Sequence, residues 1–207
     1  MSRRVVTLDG CDVLEDDFKR VYFTANADID ADGMNGQSRD PGTDKRLFAY
    51  APGDHGRDAL KNAGYPNGNF REILVCGSSN RPLVFNGGFH SKTAYFREEK
   101  KWDDPDRYLD SASVPYIVVE DFIRKRVGGV VLGCRARVTW RGASVECVVG
   151  DLGPLYKLGE LSVAAADALG MDSNPRTGGV EEHEVLYELW PGHSAIIGGE
   201  TFSLIRR

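Results

Sequence analysis

The stretch from Arg135 to Gly170 constrains the fold more than any other part of the chain. It opens with two runs that alternate apolar and polar residues, Arg135-Ala136-Arg137-Val138-Thr139-Trp140 and Ser144-Val145-Glu146-Cys147-Val148-Val149. A period of two puts one face of a strand in a core and the other in water. Arg141-Gly142 lies between the runs, where glycine supplies the positive φ of a tight turn. A hairpin is therefore predicted. The chain then meets Gly150-Asp151-Leu152-Gly153-Pro154, which must turn, and reaches Ser162-Val163-Ala164-Ala165-Ala166. Serine is a good N-cap, the following residues support a helix, and Gly170 fits the position just past its end.

Elsewhere short apolar runs alternate with turn residues. Residues 21–25, 47–50, 73–76, 82–85, 116–119, 130–132, 185–190 and 202–205 read as strands. Residues 57–62 read as one or two helical turns, and 64–68 as a turn. Val13, Leu14 and Phe18 are spaced like a short amphipathic segment within a polar N-terminus. Residues 28–43 and 97–110 read as loops. Trp140 and Trp190 sit in strand-like runs and read as core. The predicted class is mainly β with short helices (α+β), in one domain over 1–207. An N-terminal extension covers 1–20 and a barrel core covers 116–207.

Composition narrows the function. A chain of 207 residues can bury a sizeable core. A formal net charge of −5 argues against a nucleic-acid partner. No apolar run reaches the length of a membrane span, so no membrane partner is expected. The four cysteines form no C-x-x-C pair, so no zinc site is expected and they read as free thiols. Cys134 and Cys147 flank the predicted hairpin and could face each other. Met1 to Asp9 carries two arginines without an apolar signal core. Export without a cleaved signal, a trimmed leader and a cytoplasmic location all stay open on this ground.

Asp151 and Glu160 lie at the two ends of a glycine- and proline-punctuated loop. Two carboxyls, one protonated and one ionised, are what glycoside hydrolysis requires. The other reading is that Asp151 holds the turn and Glu160 helps cap the helix. A helix start favours an anion, whereas a general acid must stay protonated. Asp28, Asp30 and Asp32 resemble the start of a calcium loop, yet the twelfth position from Asp28 is Arg39. A carboxylate cluster for cationic sugars, and plain turn-making, are the alternatives. Tyr50, Tyr65, Tyr95 and Trp102 are candidates for stacking on sugar rings, and Lys92 for touching substrate. No histidine has metal-ligand spacing, and no metal or cofactor is expected.

A resemblance adds to this. Val148 to Pro154, Gly159 to Ala166 and Ala168-Leu169-Gly170 resemble the core motif of glycoside hydrolase family 75, the chitosanases first known from fungi. So do Ala27 to Gly33, Ala49 to Asp54, Asn62 to Pro66, Arg107 to Asp110 and Val114 to Val119. Together these cover roughly residues 21–205. Two places depart from the pattern: Ala51 stands where a histidine is often found, and Glu120-Asp121 where a Leu-Pro-like pair is usual. The acid placed before an alanine-rich helix is also similar to double-psi β-barrel domains.

The resemblance implies a six-stranded double-psi-like β-barrel with N-terminal elaborations. It implies inverting endo-hydrolysis of β-1,4 linkages in chitosan, with Glu160 as acid and Asp151 as base. Asp28, Asp30, Asp32, Tyr50 and Lys92 are then substrate-binding candidates. It further implies a secreted or exported monomer acting on a polysaccharide. A cell-wall peptidoglycan hydrolase and a non-catalytic, expansin-like binding barrel are the competing expectations.

Overall fold

The computed structural model describes residues 2–34, 71, 73–85, 88–153, 156–175 and 177–206. Twelve strands and two α-helices follow one another among them. They run β1 (Arg3–Leu8), β2 (Cys11–Glu15), β3 (Val21–Asp30), β4 (Val84–Phe85), β5 (Gly88–Phe89) and β6 (Tyr116–Glu120). Helix α1 (Asp121–Arg126) precedes β7 (Cys134–Trp140), β8 (Ala143–Gly153) and β9 (Glu160–Ser162). Helix α2 (Val163–Leu169) leads to β10 (Val180–Ser194), β11 (Ile196–Ile197) and β12 (Glu200–Thr201).

Six strands close a barrel in the order β3-β10-β7-β8-β6-β9, with β9 returning to β3. Two contacts in the ring, β3–β9 and β6–β8, are parallel, and the other four are antiparallel. Five of the six strands come from residues 116–207. The sixth, β3, does not, which corrects the expectation of a barrel built from that stretch alone.

The hairpin β7–β8 forms as predicted, with Arg141 at φ 44° and Gly142 at φ 85°. Two positive φ values match the right-handed twist of the flanking strands. The N-terminus corrects the amphipathic segment. It is a second hairpin, β1–β2, turning at Asp9 and Gly10, while Phe18 is exposed. Its β2 adds to the free edge of β3 at Val21 and Tyr22. Residues 130–132 and 202–205 are not strands and meet only in an isolated bridge, Leu132 to Ile205. Residues 73–76 and 82–85 pair across their turn through a single bridge, Cys76 to Pro82. The segments 47–50, 57–62 and 64–68 lie outside the described residues.

The barrel interior is filled by alternate side chains. Val21, Phe23, Ala25, Ala27 and Ile29 of β3 point inward against Ile117, Val149, Leu161, Val185, Tyr187 and Leu189. Phe23 and Tyr187 stack with ring centroids 5.0 Å apart. All four cysteines are buried free thiols. Cys147 opposes Ala136 rather than Cys134 in the hairpin register. Trp140 and Trp190 are half-buried rather than within the core, and Trp140 packs against the core from outside. Arginine guanidinium groups lie over their outer faces, Arg141 at 4.6 Å and Arg135 at 4.3 Å.

One irregularity decides where the site forms. Ile117 pairs with Val149, but Val118 pairs with Asp151, so Gly150 is an extra residue in β8. Without this bulge Asp151 would follow Cys147 and Val149 into the barrel interior. With it, the carboxylate turns to the outer face, the re-aiming that bulges perform next to functional sites. Gly150 is held there closely. A Cβ on it would lie 2.6 Å from Tyr116 Cβ and 2.7 Å from Leu109 Cδ1. Gly150→Ala is expected to destabilise the fold by about 2 kcal/mol, the scale of forced overpacking. Gly128→Ala meets nothing within 4 Å and should stay within about 0.5 kcal/mol. Urea denaturation midpoints of the two variants check this.

Candidate active site

The outer face of the barrel carries a row of acids. Val118 on β6 has Asp151 of β8 as its partner on one side and Glu160 of β9 on the other. Glu160 is in turn the partner of Asp28 on β3. Asp30, two residues on, lies beside Ser162 on the same face. The sequence placed Asp28 and Asp30 in a loop. They instead end strand β3, which alternates between core and surface as far as Ile29 and then buries Asp30 as well. An EF-hand-type calcium loop is thereby excluded for this segment.

Segments 31–34 and 90–114 cover this row. Asp151 Oδ1 accepts the Ala94 N–H at 2.9 Å and the Leu152 N–H at 2.7 Å. Tyr95 N–H donates to Gly150 O at 2.9 Å. Asp30 Oδ1 accepts the Asp32 N–H at 2.8 Å. The fully buried Tyr116 hydroxyl donates to Asp32 O at 3.0 Å, and beside Asp30 it partly offsets the rise that burial imposes on that carboxyl. Ser91 Oγ accepts the Gly33 N–H at 2.7 Å, and beside Asp32 it partly offsets the rise of that carboxyl. Asp30 and Asp151 are buried under this layer.

The helix does not use Glu160. The first N–H groups of α2, on Val163, Ala164 and Ala165, donate to Ser111 Oγ, Ser111 O and Ser162 Oγ. Ser111 also donates to Asp30 O, tying the cover to the barrel. The reading of Glu160 as a cap is therefore overturned, and the pull of the helix start on its anion is spent on serines. Glu120, by contrast, does cap a helix. Its Oε2 accepts the Phe122 N–H of α1 at 2.5 Å.

Electrostatics follow from burial and crowding. Glu160 is pushed up to about 8, first by desolvation and then by the charges of Asp30, Asp151 and Asp28. Lys157 pulls the other way and is outweighed. Asp30 rises to about 6, mainly through burial. Asp32 and Asp151 are also raised, by burial and by Asp30. Among the described residues no lysine or arginine forms an ion pair with Asp30, Asp32, Asp151 or Glu160. Each of the four therefore holds its proton more tightly than an ordinary carboxyl does. Asp151 differs from Glu160 in accepting two backbone N–H groups, which favour its ionised form.

A small cavity of about 80 Å³ opens at this row, lined by Asp28, Val118, Gly153, Lys157, Leu158 and Glu160. One carboxylate oxygen from each of Asp30, Asp32 and Asp151 lies within 4.8 Å of the others. Oxygen donors so grouped are of the kind hard cations take, although calcium asks for six to eight of them.

The remaining candidates scatter. Tyr50 and Tyr65 lie outside the described residues. Lys92 does not join the acids: its ammonium donates to Arg71 O at 2.5 Å and lies 5.6 Å from the Tyr108 ring centroid. Tyr95 is buried against Phe202, so it is no stacking platform. Trp102 is exposed, with the Arg71 guanidinium 5.1 Å from its ring centroid. Sequence reasoning missed Tyr116, Ser91 and Ser111. A tyrosine in an otherwise aliphatic buried strand is a usable signal, because its hydroxyl needs a partner inside. The two serines carried none. No protein-family model and no curated protein matches the chain.

The pH dependence of stability follows in sign. A carboxyl raised in the folded chain keeps its proton where the unfolded chain has lost it. Its stabilisation is complete below the unfolded value, about 4, and is lost as pH rises through about 6 for Asp30 and about 8 for Glu160. Glu15 and Glu146, lowered by hydrogen bonds from Lys19 and Arg135, act below this window. His90, lowered by burial, opposes the trend in its lower half. Comparing variants removes that background. Asp30→Asn should gain melting temperature over the parent at about pH 8.5 and little or none at about pH 5.

Proposed function

We propose that the protein is an inverting glycoside hydrolase of the family-75 type that cleaves β-1,4 linkages in chitosan. The observation that carries this is the row Asp151–Val118–Glu160. Two strand spacings separate the backbones of the acids, roughly 10 Å, with both side chains on one face. An inverting pair needs carboxyls about 6.5–9.5 Å apart, so that water fits between one of them and the sugar.

The chemistry divides between the two. Glu160, held protonated by burial and by its acidic neighbours, protonates the leaving oxygen. Asp151, with two N–H donors on its carboxylate, takes the proton from a water on the opposite face of the ring. Asp28, Asp30 and Asp32 supply negative charge that favours a cationic amino-sugar polymer over a neutral one. The barrel supports a double-psi reading, because its closed ring contains two parallel contacts and runs from β9 directly into α2. No cofactor enters this mechanism.

Glu160→Gln and Asp151→Asn should each lower kcat on chitosan by about 10²–10⁴. NMR of the nascent product should find the α-anomer first. Unchanged hydrolysis in both variants would contradict the assignment, and an initial β-anomer would contradict inversion. Peptidoglycan assayed in parallel separates the polymers. Binding of chitosan without turnover in the intact protein would favour a carbohydrate-binding barrel.

A further inference from the structure

We propose that Tyr156 is a sugar-stacking platform at the mouth of the Glu160 cavity, serving polymer binding rather than chemistry; this rests on the glycosidase reading above.

Tyr156 is unusual in two independent ways. Its backbone is left-handed, φ 67°, a genuine outlier for a bulky residue. The other described non-glycine residues with positive φ are Asp9, Lys19, Asn80 and Arg141, all polar. The residue is also 64% exposed, so burial does not offset the strain. Strain that packing does not repay collects at ligand-binding positions.

The surroundings fix where the segment that carries Tyr156 stands. Leu158 is buried and anchors the segment in the core. Gly159 is pressed onto β3, where its carbonyl accepts the Asp28 N–H at 2.6 Å and a Cβ would lie 2.2 Å from Asn26 Oδ1. Lys157, between Tyr156 and that anchor, lines the cavity with Glu160 and Asp28. Tyr156 is thus the residue next to the cavity wall, two positions from a buried anchor and one from a lining side chain. A phenol ring there offers a rigid apolar face with a wet hydroxyl edge. The C–H face of a pyranose is its complement, and an ordered platform costs little on binding.

The test is calorimetric binding of the glucosamine hexamer to Glu160→Gln, which should hold the oligomer without cleaving it. Adding Tyr156→Gly should weaken binding by about tenfold or more, a change of about 1.4 kcal/mol. Tyr156→Trp in the same background should retain affinity. Glycine relieves the left-handed backbone, so Tyr156→Gly should not lower the melting temperature. Affinity within about twofold of the parent, while Glu160→Gln still binds, overturns the platform and leaves the glycosidase reading standing. A melting temperature several degrees lower marks Tyr156 as a structural prop and also overturns it. Absence of hexamer binding to Glu160→Gln itself overturns both.

Discussion

Four carboxylic acids are crowded together on the outside of a β-barrel, Asp30 and Asp151 buried and Asp32 and Glu160 half-buried, and the rest of the site answers to that crowding. Burying an isolated carboxylate is costly enough that such groups take up protons instead. Here the described residues offer no ion pair to soften the cost. Relief comes from the Tyr116 hydroxyl, Ser91, and the N–H groups of Asp32, Ala94 and Leu152. These are enough to order the acids and too few to ionise them all. A barrel that carries such a cluster gives up stability near neutral pH, as sites held ready for proton transfer commonly do.

Topology makes the crowding possible. Parallel pairing of β3 with β9 and of β6 with β8 brings four strand ends to one patch of surface. The bulge at Gly150 then turns Asp151 outward into the row that already holds Glu160 and Asp28. Gly150 serves twice, since its missing side chain leaves room for Tyr116 of β6 and for Leu109 in the cover. Ser111 completes the arrangement by occupying the helix N–H groups that would otherwise draw out the anion of Glu160.

Much of this was legible in the sequence, and the gaps have physical reasons. The hairpin β7–β8 announced itself through strict alternation around Arg141-Gly142, and helix α2 through Ser162 and Gly170. Both signals are local, and local rules decide them. Strand β3 was cut short because aspartates speak for turns. Yet Ala25, Ala27 and Ile29 keep the period of two through Asp28 and Asp30, and that pattern won. The bulge left no trace, since a glycine before Asp151 reads equally as a turn. The protonation of Glu160 was not legible either. Its neighbours in sequence favour the anion, and the groups that oppose it arrive from β3 and β8 through the fold.

The central claim is that the fold, rather than the local chain, keeps Glu160 protonated. Carbon-detected NMR titration of the Glu160 side-chain carboxyl in the intact protein tests it most directly. The expected midpoint is about 8, moving down in Asp30→Asn as a repelling charge is removed. A midpoint near the ordinary glutamate value of about 4.3 in both proteins would contradict it.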